Sequence, residues 1–189
     1  MTSGDDFGWL DDDAIVGYSV SFVEGVEPVE ALERIGADVG TLPELSAADA
    51  DEFSRTAGAV PVIRAGRCGT WTVLIEHDAN KGVNEHTLPA LSAGTRAVSV
   101  FSSAAGMDLF YYAENGRLMT IVETTIPANR YGEQPDRFLH ELAEVGLGPD
   151  DEPESVRAAT MALVHSVWGV AVDEETMFAA PLPTALIRR

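Results

Sequence analysis

The stretch from Ala59 to Ile126 constrains the fold of this chain most. It is a series of short runs rich in β-branched and aromatic residues, broken by glycine-bearing turns. The runs are Val60–Ile63, Thr70–Glu76, Arg96–Phe101, Met107–Tyr112 and Arg117–Thr124. Such runs read as half-buried strands. Asn115-Gly116 is the strongest turn signal, because a two-residue hairpin turn of the favoured hand needs positive φ at both central residues. Gly66-Arg-Cys-Gly69 predicts a second hairpin turn, between the first two runs. Strands joined in this way are antiparallel neighbours.

The flanks read mostly as helix. Pro28 suits a first helical turn, Val29, Leu32 and Ile35 form an apolar stripe, and Gly36 closes it. Ser46-Ala-Ala-Asp49 predicts a capped short helix, and Thr87–Leu91 one or two helical turns. Two more helices are expected over Pro135–Val145 and Pro153–Trp168, the second with Val156, Ala159, Leu163 and Val167 on one side. Asp173–Met177 suits a last turn, and the tail from Pro181 to Arg189 reads as extended. Tyr18–Val23 alternates well enough for a strand, yet a helix through Val16–Phe22 also fits. The expectation is a single α+β domain over residues 1–189, with residues 1–8 as a flexible tail. Its core would be a mainly antiparallel sheet of four to five strands packed against N- and C-terminal helices.

Charge is distributed unevenly. The net charge is −19: residues 1–60 carry 14 acids and 2 bases, residues 61–130 carry 6 of each, and residues 131–189 carry 11 and 4. Nucleic-acid binding draws its affinity from lysine and arginine neutralising phosphates, so nucleic acid is excluded as a partner, and anionic membranes for the same reason. Two readings of the excess remain: solubility in an acid-rich proteome, or attraction of a protein partner with a basic face. The lone Cys68 rules out an intramolecular disulfide. The N-terminus shows no signal peptide and no apolar run reaches the ~20 residues of a membrane span, so a cytoplasmic location is expected.

Several short motifs, in order, resemble an uncharacterised actinobacterial family known only as a domain of unknown function. They are Phe22-Val-Glu-Gly-Val26 with Pro28, Glu30, Leu32 and Ile35-Gly36; Trp71–Glu76; Leu91–Phe101; Tyr112–Gly116; and Pro127–Gly132 with Pro135. The resemblance spans about Trp9 to Met177 and implies a bacterial protein of this size, with no known activity. The chain departs from the family pattern in two places. Family members often have a Gly-Trp turn after the glutamate at position 76 and asparagines after position 101. Here those places hold His77–Gly82 and Ser102-Ser103.

Candidate chemistry is sparse. Glu76-His77-Asp78 with Asn84-Glu85-His86 offers imidazole and carboxylate donors for a divalent metal, but the nine-residue loop need not bring them together, so no metal and no cofactor is expected. Cys68 beside Arg67 suits a small residue in a tight turn better than an activated thiol. His140 reads as a surface residue among helical acids, and His165 as a partly buried structural one. Phe110 and Tyr112 should share one sheet face and Tyr111 the other. A face left uncovered would present aromatics and arginines together, so the expected binding residues are Trp71, Arg96, Tyr112, Arg117, Arg130 and Tyr131. The leading expectation is a non-enzymatic protein-binding module of immunity or antitoxin type. The alternatives are an enzyme or small-molecule binder using Glu76, His77 and Glu123 in a cleft beside the sheet, and a homo-oligomer that buries an open sheet face.

Overall fold

The computed structural model describes residues 4–77 and 80–187. An antiparallel sheet forms its centre, with α-helices on both faces, as the α+β reading expects. The strands are β1 Tyr18–Glu24, β2 Glu44–Leu45, β3 Val62–Cys68, β4 Trp71–His77, β5 Arg96–Ser102, β6 Asp108–Glu114, β7 Arg117–Glu123, β8 Arg130–Tyr131 and β9 Leu182–Leu186. The helices are α1 Pro28–Arg34, α2 Ala47–Thr56, α3 Leu88–Leu91, α4 Leu139–Glu144 and α5 Val156–Trp168, together with a 3-10 helix at Gly4–Asp11 and a π-helical turn at Glu175–Ala179. The sheet order is β2-β9-β3-β4-β1-β5-β6-β7-β8.

Nine strands stand where four to five were expected. Tyr18–Val23 resolves as strand β1, at the middle of the sheet between β4 and β5. Its pattern is ambiguous in sequence because both of its faces are buried. Tyr18, Val20 and Phe22 enter one layer, and Ser19, Ser21 and Val23 the other. Ser21 is accommodated by a hydroxyl–hydroxyl bond to Ser99 at 2.7 Å. The extended tail becomes β9, pairing Thr184–Leu186 with Val62–Arg64 of β3, far earlier in the chain. β2 and β8 hold two residues each, too few to leave a periodic signal.

The turns show why the strands end where they do. Asn115 and Gly116 both have positive φ, 52° and 79°, as the tight β6–β7 hairpin requires. The β3–β4 turn is shorter than Gly66–Gly69. Only Gly69 takes the left-handed conformation, at φ 62°, and β3 continues through Cys68. Gly66 serves the strand instead: a Cβ there would lie 2.9 Å from Leu182 Cδ2 on β9.

Two apolar layers sandwich the sheet. On the first face Val20, Phe22, Val73, Ile75, Val98, Val100, Phe110 and Val122 pack under α5, α4 and the 3-10 helix. On the second, Val23, Ile63, Ala65, Leu74, Ala97 and Ala113 pack under α1 and α3. α5 is buried from Ala158 through Val164 without interruption, wider than the stripe its spacing suggests. The reason is that the 3-10 helix packs along α5 from the other side. Residues 1–8 were expected to be a tail, but Gly4–Gly8 lie in this 3-10 helix, and Phe7 and Leu10 are core residues.

Candidate functional site

Strand register brings four of the six expected binding residues to one end of the sheet. On the first face, the terminal row runs Cys68–Trp71–Glu24 across β3, β4 and β1, and Arg96–Glu114–Arg117 across β5, β6 and β7. Tyr112 lies one row inward. Charges alternate along this row, and directly opposed opposite charges stabilise a sheet modestly. Arg96 grips Glu24 with both Nε, at 2.6 Å, and Nη2, at 2.9 Å, and its guanidinium stands 5.6 Å from the Trp71 ring centroid. The hydrogen bond from Arg96 holds the Glu24 carboxyl below its usual range. Arg137 bonds Glu114 at 3.0 Å and lies 4.6 Å over the Tyr112 ring. Burial raises the Tyr112 phenol pKa, with Arg137 opposing.

The aromatic rings here belong to the core. Trp71 and Tyr112 are buried, and Phe110 and Tyr112 stack on Trp168 with Phe138 edge-on. Tyr111, on the other face, is buried as well. The face that carries Phe110 and Tyr112 is therefore covered, because α4 and α5 seat Phe138 and Trp168 upon it. Arg117 is exposed and paired with Glu133, and Arg130 with Asp136 at 2.9 Å. Arg130 and Tyr131 are neighbours on the edge strand β8 and so point to opposite faces. Tyr131 is 60 % exposed.

The acid–base candidates do not converge. Glu76 and His77 are adjacent on β4 and point to opposite faces. Glu76 is buried and accepts backbone N–H bonds from Gly82 at 2.8 Å and Val83 at 2.9 Å, so it holds the following loop in place. Glu123 shares that face but is separated from Glu76 by Ser19, Phe101 and Leu109 in register. Four strand spacings put the two carboxylates about 19 Å apart. Glu123 accepts instead from Asn129 Nδ2 at 2.8 Å. His77 Nε2 lies 3.2 Å from Arg64 Nη2. A guanidinium only donates, so a hydrogen bond here requires this nitrogen as the acceptor.

Arg64 is a residue that sequence reasoning undervalued. It is 1 % exposed and donates to the carbonyls of Met177 and Ala180, tying the π-helical turn to β3. Burial brings its pKa down to about 10. The flanking apolar Ile63 and Ala65 were the available signal. The loop that carries the candidate metal donors is organised by Asn84 and Thr87, and His86 is exposed beside Glu85. Asp78 lies outside the described residues. Among the described residues, no three His, Cys, Asp or Glu side chains are grouped closely enough to hold a metal. Cys68 faces Ala171 O at 3.4 Å, while Arg67 pairs with Glu27.

The fold creates one further feature, an acidic surface. Asp11-Asp12-Asp13 end the 3-10 helix, and Asp150-Asp151-Glu152-Pro-Glu154 precede α5; all seven carboxylate side chains are exposed. Arg157, three residues beyond Glu154, donates to Leu10 O at 3.1 Å and Ile15 O at 2.9 Å, the carbonyls that bracket the first run. Both runs are thereby drawn to the N-terminal end of α5. Elsewhere, Arg34, Arg55, Arg67, Arg96, Arg117, Arg130 and Arg137 each answer one carboxylate. Arg157 answers carbonyl oxygens, and among the described residues none of these seven carboxylates is in an ion pair.

A family model described as "Family of unknown function (DUF6461)" matches residues 1–189. No curated protein and no solved structure matches the chain. No helix among the described residues is long and apolar enough to cross a membrane.

Proposed function

The chain belongs to this family of unknown function, and we propose that it is a non-enzymatic, cytoplasmic protein-binding module that captures a partner with a basic face, as immunity and antitoxin proteins do. The observation that carries this reading is the meeting of the Asp11–Asp13 and Asp150–Glu154 runs at one end of α5. Seven exposed carboxylates in one region give a concentrated negative potential, which steers a basic partner and fixes its orientation. The separation of Glu76, His77 and Glu123 favours binding over acid–base chemistry.

The test is affinity capture of the tagged protein at low and moderate salt, followed by calorimetry with the purified partner. The expected result is a 1:1 complex whose affinity falls at least tenfold between the two salts. A partner bound with salt-independent affinity, or no stoichiometric partner, would overturn the reading.

A further inference from the structure

The ends of three neighbouring strands frame a cleft of about 320 Å³. Tyr18 opens β1 opposite His77, which ends β4, and opposite Ser102, which ends β5. The chain just ahead of β1 and just beyond β4 and β5 therefore meets at one end of the sheet. Val16-Gly17, Asn80-Lys81 and residues 101–105 line the cleft that results. Gly17 lets the middle segment approach its neighbour closely, since a Cβ there would lie 2.9 Å from Ser102 O. Most of the wall is apolar carbon. Val16 is 52 % exposed and Ala104 and Ala105 are exposed, so the cleft is open to solvent.

The charge of this cleft is the reverse of the molecule's. Lys81 is the one lysine of a chain with 31 acids, and it is the only charged residue among those that line the cleft. Two other clefts each include a carboxylate, Asp38 in one and Asp51 in the other. Lys81 is exposed, and among the described residues it forms no ion pair, whereas seven arginines do. The turn beyond β5 adds further donors. Ser103 N donates to Met107 O and Gly106 N to Ser103 O, both at 3.0 Å, while the N–H groups of Ala104 and Ala105 between them have no acceptor among the described residues. An ammonium and free amides beside apolar carbon suit a ligand with an anionic head and an apolar body. Lysine carries its charge on a flexible four-carbon stem, so it can follow the head along the rim. One cation balances one negative charge, which favours a carboxylate over a dianionic phosphate in a protein this acidic. The cleft has the volume of about ten water molecules at ~30 Å³ each, which suits a ligand of roughly ten non-hydrogen atoms.

We propose that this cleft binds a small monocarboxylate with a compact apolar body, and that Lys81 receives the carboxylate. The site is independent of the proposed partner binding. The experiment is an amide-resolved NMR titration of the full chain with benzoate, benzamide and benzylammonium, which carry one ring on an anionic, a neutral and a cationic head. Benzoate should give saturable shifts centred on Gly17, Lys81 and residues 101–105, with a Kd of about 1 mM or below. Benzamide should bind about fivefold more weakly, and benzylammonium should not bind there. Lys81→Met keeps the apolar stem and should weaken benzoate about fivefold while leaving benzamide unchanged. Ala104→Glu sets a like charge beside the head and should weaken benzoate by a similar factor. Both positions are exposed, so neither change threatens the fold. The absence of saturable benzoate shifts in this region would overturn the site. Equal affinity for benzoate and benzamide, or unchanged benzoate affinity in Lys81→Met, would overturn recognition of the carboxylate by Lys81.

Discussion

Arg157 donates to the carbonyl oxygen of Leu10 at 3.1 Å, although in sequence it closely follows the acidic run Asp150–Glu154. This bond, with its counterpart to Ile15, fastens the 3-10 helix to α5. Among the described residues, the acidic runs it brings together form no ion pairs. The same side chain thus stabilises the fold and shapes the surface charge.

Arg157→Met keeps the apolar stem but removes both bonds. Hydrogen bonds from charged groups contribute about 1.5–3 kcal/mol each at most, and partial exposure reduces that. We expect a loss of about 2 kcal/mol in urea unfolding, with the 3-10 helix the first region to gain amide hydrogen exchange. Unchanged protection over Phe7–Asp11 would contradict the role given to Arg157.

Glu76 should be sensitive to removal of its acceptor atoms. Glu76→Ala leaves the Gly82 and Val83 N–H groups without their acceptor and opens space beside Ile63 and Ile187. The expected cost is about 3 kcal/mol, measured by chemical denaturation. Glu76→Gln retains one acceptor oxygen and should cost less. An exposed, catalytic Glu76 would instead tolerate alanine without loss of stability.

Gly132 tests the edge of the sheet. Its φ is 106°, and a Cβ there would overlap the carbonyl oxygen of Met119 and come 2.8 Å from Met119 C. Both the strain and the overlap act against Gly132→Ala, so a loss of about 2–4 kcal/mol is expected. The damage should be confined to β8 and its pairing with Ile121 and Val122. Hydrogen exchange of the wild type and variant checks this.

Acid should weaken the Glu24–Arg96 pair in a defined direction. The folded pKa of Glu24 lies below its ordinary value of 4.5, chiefly through the Arg96 hydrogen bond. Its contribution is therefore complete above that ordinary value and is lost as pH falls through the folded pKa. Both side chains are partly exposed, 36 % and 42 %, so the contribution is below about 1 kcal/mol. Stability of wild type minus Glu24→Gln should shrink as pH falls below the ordinary 4.5 and through the lower folded pKa. A difference that grows with acid would contradict the pairing.

Local chemistry made part of this structure legible in the sequence. Asn115-Gly116 announces its hairpin because few other pairs accept positive φ twice. Ser46 announces α2, and its hydroxyl accepts from Asp49 N as a cap should. The nearness of Tyr112 and Arg117 follows from the hairpin alone, whereas that of Trp71 and Arg96 depends on β1 standing between their strands. The burial of Trp71 and Tyr112 follows from neither, because alternation separates two faces without saying which is covered. Here Trp168 and Phe138, far along the chain, decide it. β1 was ambiguous because burial on both faces erases the polar–apolar contrast. The acidic surface was invisible for a related reason: it joins residues 11–13 to residues 150–154, and only the Arg157 contacts reveal the meeting.

The most direct test of the binding proposal is calorimetry of the captured partner against two charge-reversed proteins. One carries Asp11→Lys, Asp12→Lys and Asp13→Lys. The other carries Glu33→Lys and Glu44→Lys, exposed acids away from the N-terminal end of α5. Like charges set against the partner's basic face should cost several kcal/mol. The prediction is therefore at least a hundredfold loss of affinity for the first protein and less than tenfold for the second. Equal losses in both would mean that diffuse charge, not the surface built around Arg157, draws the partner in. No loss in either would contradict the account outright.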